Sequence, residues 1–237
     1  GTLIVNHTNV TNNLKNITIR NVEEGDKCVA AIASSGTAII DYSYFANNTG
    51  CYGGALSSHG DFNPSNVAYM NVSNSYFENN NATFGGAIFM ESTVFVVDNS
   101  TFINNGVTAV DYDKAQAMGG AIDTTNLSIK DGTLTIKTTG NASDSSAKGL
   151  KAGTLITIDG GSYDINTTDD GIHSDGNITI NKGTFTITSK DDGIHADGLI
   201  EINGGTFTIS ASEGIEATYV KINDGVINIT ASDDGIN

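Results

Sequence analysis

Short bursts of alternating apolar and polar residues run the length of the chain, and glycine, asparagine or aspartate interrupts nearly every one. Alternation with period two predicts strands that bury one face, and the interrupting residues predict tight turns between them. The bursts also recur. Ile156-Thr157-Ile158, Ile178-Thr179-Ile180, Ile200-Glu201-Ile202 and Val220-Lys221-Ile222 form one column. The segments 132–136, 161–165, 183–187, 205–209 and 225–229, each starting on glycine and ending on isoleucine, form a second. A third holds Asp169-Asp170-Gly171-Ile172-His173, Asp191-Asp192-Gly193-Ile194-His195, Ser212-Glu213-Gly214-Ile215-Glu216 and Asp233-Asp234-Gly235-Ile236-Asn237. Its glycines, Gly171, Gly193, Gly214 and Gly235, keep an almost constant period, and a degenerate copy, Lys148-Gly149-Leu150-Lys151, lies one period earlier.

Three short strands per period of this length describe one coil of a right-handed parallel β-helix. The expected class is therefore all-β, a single-stranded solenoid of about nine or ten coils spaced about 4.8 Å apart. Alternation turns Phe185 and Ile187 inward over Tyr163 and Ile165, with Phe207 and Ile209 beyond them. Thr184 and Thr186 then face solvent.

The first half uses other words in the same grammar. Phe45-Ala46-Asn47-Asn48, Phe77-Glu78-Asn79-Asn80 and Phe102-Ile103-Asn104-Asn105 recur, as do Gly53-Gly54-Ala55-Leu56, Gly85-Gly86-Ala87-Ile88 and Gly119-Gly120-Ala121-Ile122. Phe is expected inside, Asn laddered along a turn, and the glycine pair at a sharp bend. The glycine pairs at Gly53, Gly85 and Gly119 are spaced more widely than the glycines of the second half. These coils therefore carry insertions, placed near 57–70 (around Phe62-Asn63-Pro64) and 106–118 (around Asp111-Tyr112-Asp113-Lys114). We read one continuous solenoid over 1–237. Coils of the first kind fill 1–126, Asp-Asp-Gly-Ile-His coils fill 127–237, and a loop at 140–148 separates the two.

Charge narrows the functional classes. There are 27 acidic and 11 basic side chains, a net charge of −16, which argues against nucleic acid, since affinity for a polyanion rests on cationic contacts. It offers no attraction to anionic lipid either, and no apolar run reaches the roughly 18 residues of a membrane span. What such a surface attracts is cations, chiefly calcium, or partners that arrive through calcium.

The N-terminal words resemble the GGAI and FxxN repeats of polymorphic outer-membrane and adhesin-like β-helix proteins. The copies at Asp169–His173 and Asp191–Gly198 resemble the calcium-containing carbohydrate-binding-domain family of β-helices, similar in fold to pectate lyases. That resemblance covers about residues 127–237 and implies extracellular work on glycans, cellulose or acidic plant polysaccharide.

The columns point to a metal site without the family. Aligned glycines stack Asp170, Asp192, Glu213 and Asp234, flanked by Asp169, Asp191, Ser212 and Asp233, with Asp175, Asp197 and Thr218 in a third row. Coils about 4.8 Å apart let one ion bridge carboxylates on consecutive coils, and an all-oxygen donor set favours Ca2+. Asp-Asp-Gly is equally a turn signal, with Asp bonding its own backbone. His173 and His195 stack with Lys151 and Glu216 on the outward side, as the lining of a sugar groove or as an exposed polar ladder.

A lyase or hydrolase of this fold needs a base beside its acids. The single arginine, Arg20, lies far off in sequence, and Lys190 is the best placed lysine. Periodic recurrence favours a non-catalytic module. Trp is absent, which disfavours a flat crystalline-cellulose platform, and only Tyr44 and Tyr76 look like repeated exposed aromatics. An acidic glycan is the favoured partner; another surface protein, docked on the insertions, is the alternative. Cys28 and Cys51 stand about one coil apart, yet alignment sets Cys28 over Tyr52, so a disulfide and two buried thiols both stay open. A bridge would suit an oxidising, extracellular or cell-surface setting. Open-looking repeats at both ends suggest a piece of a longer multi-module chain.

Overall fold

In the computed structural model, which describes residues 3–4, 10–23, 30–59, 68–107, 119–138 and 147–237, the alternating bursts pair in parallel with the equivalent burst one period away. Their repetition builds one sheet of thirteen strands and one of ten. The chain is an all-β parallel β-helix, as the periodicity predicts. No helix forms among the described residues, so none is long and apolar enough to cross a membrane.

The three bursts of a period are shared between only two sheets. Ile172–Ser174 and Asn177–Ile180 both pair with the long strand Asp192–Ile202 on one side and with Leu150–Ile158 on the other. One bent sheet therefore carries both, and register shifts at Met90/Val94, Thr124/Asn126 and Ala196/Leu199 absorb the bend. The third burst forms the ten-stranded sheet.

Inward residues stack like with like. The rings of Phe45, Phe77 and Phe102 follow at 4.9 and 4.6 Å, and those of Tyr163, Phe185 and Phe207 at 4.5 and 4.6 Å. All six are buried, and each ring contributes about 1.5–3 kcal/mol relative to exposure. The Tyr163 hydroxyl donates to the Gly160 carbonyl at 2.7 Å, so its burial strands no donor.

The first-half corners use asparagine in two ways. Asn47, Asn79 and Asn104 take positive φ of 54°, 52° and 52°, a region asparagine tolerates better than most residues. That kink swings Asn48, Asn80 and Asn105 inward, where all three are fully buried. Each amide nitrogen then donates to the next carboxamide oxygen, Asn48 to Asn80 and Asn80 to Asn105, both at 2.9 Å.

The halves meet in register, with Ile122 beside Leu150 and Leu134 beside Tyr163. Cys28 lies outside the described residues, and so, for the most part, do the insertions near 57–70 and 106–118 and the loop at 140–148.

Candidate functional site

Where the bent sheet leaves its glycine corner, the residue after the buried aliphatic one points outward in every coil. Register makes these residues neighbours: Asp123 beside Lys151, Lys151 beside His173, His173 beside His195, His195 beside Glu216. The repeats predict four members of this row. Asp123 is not among them, because it follows Gly119-Gly120-Ala121-Ile122 and belongs to the other set of words. Ile122 aligns with Leu150, and that alignment carried across the 140–148 loop is the signal that finds it.

Carboxylates from the turns on either side reach into the row. His173 Nδ1 lies 2.6 Å from Asp170 Oδ2, and its Nε2 lies 2.9 Å from Asp175 Oδ1. His195 repeats the pattern, 2.7 Å from Asp192, 3.2 Å from Glu216 and 3.4 Å from Asp197. The two imidazoles stack at 4.8 Å. Lys151, buried despite its charge, is ion-paired to Asp175. One position before the glycine, Lys148 caps the acidic column, 2.8 Å from Asp170 and 3.0 Å from Asp169.

Electrostatics follow from this packing. Burial pushes the Asp123 carboxyl up to about 7, although Lys151 beside it pulls the other way. Burial would also raise Asp170, but the His173 hydrogen bond and the Lys148 ammonium hold it well below the usual carboxylate range. The hydrogen bond to Asp192 lifts His195 to about 9, against partial burial. Glu216 is raised first by the hydrogen bond it shares with Asp192, and Asp191 by desolvation together with Asp170 and Asp169. A surplus of carboxylates over cations accounts for both.

Three groups bring donor atoms within 4.8 Å of one another: Asp169, Asp170 and Asp191; Asp170, His173 and His195; Asp192, His195 and Glu216. The first offers oxygen alone and suits calcium. Three carboxylates against the single Lys148 ammonium leave negative charge for a divalent ion to offset, so the donor chemistry fits. The other two add imidazole nitrogen, a donor that the oxygen-only columns of the sequence did not include. Glu213 pairs in register with Asp192, while Asp233 and Asp234 lie exposed in the last coil. Lys190 is exposed and joins no ion pair among the described residues. Arg20 lies on the other sheet, beside Ala46. Tyr44 and Tyr76, also on that sheet, are half-buried and stacked at 5.5 Å, with the Tyr44 hydroxyl donating to Glu78 at 2.6 Å.

Residues 76–193, 171–217 and 182–237 match the family model described as "Carbohydrate-binding domain-containing protein". No curated protein and no solved structure matches the chain.

Proposed function

Because the chain belongs to the family of carbohydrate-binding domain-containing proteins, we propose that it is a non-catalytic module that holds an acidic polysaccharide with the help of calcium, at the cell surface or outside the cell. The observation that carries this reading is the outward row of Asp123, Lys151, His173, His195 and Glu216, one residue per coil and edged by carboxylates. A row with one polar group per rung of about 4.8 Å suits a polymer of regular repeat laid along the axis.

Charge decides the class of glycan and the need for an ion. A face this acidic repels a uronate chain unless cations stand between them. Asp169, Asp170 and Asp191 would hold the calcium, which, when bound, supplies positive charge and open coordination positions for sugar carboxylates. Lys151, His173 and His195 orient the ligand through their outward edges, while their bonds to Asp170, Asp175 and Asp192 fix each side chain in place. The same pairing argues against catalysis: the groups able to serve as a base are already bound to carboxylates, and Lys190 stands apart.

Affinity electrophoresis through polygalacturonate gels tests the reading. Migration is expected to slow with calcium and recover fully with chelator. Equal migration with and without the polysaccharide, in both buffers, would overturn it.

A further inference from the structure

The outward row does not stop at Asp123. Its next neighbour is Phe89, in register with Asp123 on one side and Ser57 on the other. Phe89 lies between the buried Ile88 and Met90 and faces outward, where alternation calls for a polar side chain. Two more rings gather around it from the corner. Tyr52 and Phe84 stack at 5.1 Å and 15°, and their centroids lie 5.0 and 5.9 Å from that of Phe89, tilted by 45° and 59°. All three are half-buried, whereas Phe45, Phe77, Phe95 and Phe102 are fully enclosed in the core.

Glycine keeps the backbone next to these rings bare. Gly53 and Gly85 form the corner with positive φ, and a Cβ on either would come within 3.0 Å of the Phe89 main chain. Any other residue would crowd the strand that presents the ring. The matched family segment includes Phe84 and Phe89.

We propose that Tyr52, Phe84 and Phe89 form an apolar subsite for a sugar ring, continuing the charged row Lys151–His173–His195–Glu216 past Asp123 so that one glycan chain crosses both. The inference rests on the carbohydrate-binding reading of the row. Its occupant is a pyranose of the same acidic chain, because the polar row and the rings share one register and one outward face. A sugar's axial C–H face is apolar and packs against an aromatic surface, while its hydroxyls and carboxylates turn to the polar edge. The Tyr44–Tyr76 pair lies on the other sheet and has no continuity with the row.

Length dependence tests this. Calorimetric titration with oligogalacturonates of increasing length, in calcium, should give affinity that rises to about four units, the reach of the charged row, and rises again near about six as the chain arrives at Phe89. In Phe89→Leu, the ratio of six-unit to four-unit affinity should fall about fivefold. Tyr52→Leu should lower the same ratio, and decides the matter if the first variant fails to fold. Thr186→Val, on the other sheet, serves as the unaltered control. A ratio that survives both ring substitutions, or wild-type affinity that levels off at four units, overturns the aromatic subsite alone. Failure of the unaltered protein to bind any oligomer overturns the carbohydrate reading and this subsite with it.

Discussion

The two halves of the solenoid fill the same inward position with opposite chemistry. Asn105 stands in register with Ile136, so the column Asn48–Asn80–Asn105 continues as Ile136–Ile165–Ile187–Ile209. The asparagine coils turn their corner immediately after the Phe, using a left-handed residue and a buried carboxamide ladder. The isoleucine coils extend the strand and turn later, at Thr167 and Ser189, where the Ser189 hydroxyl donates to the Asp169 carbonyl at 2.6 Å. A polar ladder is strong only when complete, since each amide needs the coil above and the coil below. An apolar ladder asks only for volume. The delayed turn has a functional consequence: it delivers Asp169 and Asp191 to the acidic corner, whereas the asparagine coils deliver Tyr52 and Phe84 to the equivalent corner.

Breaking the polar ladder should produce the largest effect. The Asn80 side chain accepts from the Asn48 backbone and side chain and donates to the Phe45 carbonyl and to Asn105. Asn80→Leu keeps a similar volume but orphans two or three buried groups, at a cost of about 3–6 kcal/mol. Urea unfolding measures it. A loss below about 1 kcal/mol would mean that the ladder is no more demanding than the isoleucine column. Ile187→Val, its counterpart, should cost only about 0.5–1.5 kcal/mol.

The second effect sharpens the contrast through pH. Burial raises Asp123 to about 7, so the folded state takes up a proton that the unfolded chain, with a carboxyl near 3.8, has already lost. Stability is then highest at acid pH and falls as pH climbs from about 4 to about 7, by on the order of 3 kcal/mol. Asp123→Asn should flatten that fall. Urea midpoints across this range give the answer, and an unchanged slope in the variant would show that Asp123 is ionised throughout.

What could be seen in the sequence follows the same division. The pairing of Phe185 with Tyr163 and Phe207, and of His173 with His195, was legible because those coils repeat at a nearly constant period with closely similar words. Ser57, Phe89, Asp123 and Lys151 share a row with His173 but share no side chain. Self-similarity cannot register a column of unlike residues, least of all across insertions. The bent sheet was hidden for a related reason. Ala196-Asp197-Gly198 reads as a turn, yet the strand Asp192–Ile202 runs through it with a shift of register. Alternation placed the histidines outward, but not within reach of the aspartate three positions earlier. That contact depends on how the chain bends over Gly171 and Gly193, where each glycine packs against the next coil's backbone and a Cβ would lie 2.6 Å from a carbonyl oxygen.

The smallest effect belongs to the face opposite the row. On the ten-stranded sheet Thr184 stands beside Thr206, and Thr186 beside Asp164 and Thr208, all exposed. Their regular array resembles the threonine rows of ice-binding solenoids, but Ser162, Asp164, Val226 and Asn228 interrupt it on either side. Thr186 makes no side-chain hydrogen bond among the described residues, so removing its hydroxyl orphans nothing. A β-branched replacement keeps the strand preference that threonine supplies. Thr186→Val should therefore change stability by no more than about 0.5 kcal/mol and leave retardation in polygalacturonate gels as it was. If the variant lost retardation instead, the glycan would lie on the threonine sheet. The charged row would then be an ion-pair ladder holding the coils together, and the division of labour between the two faces would have to be reversed.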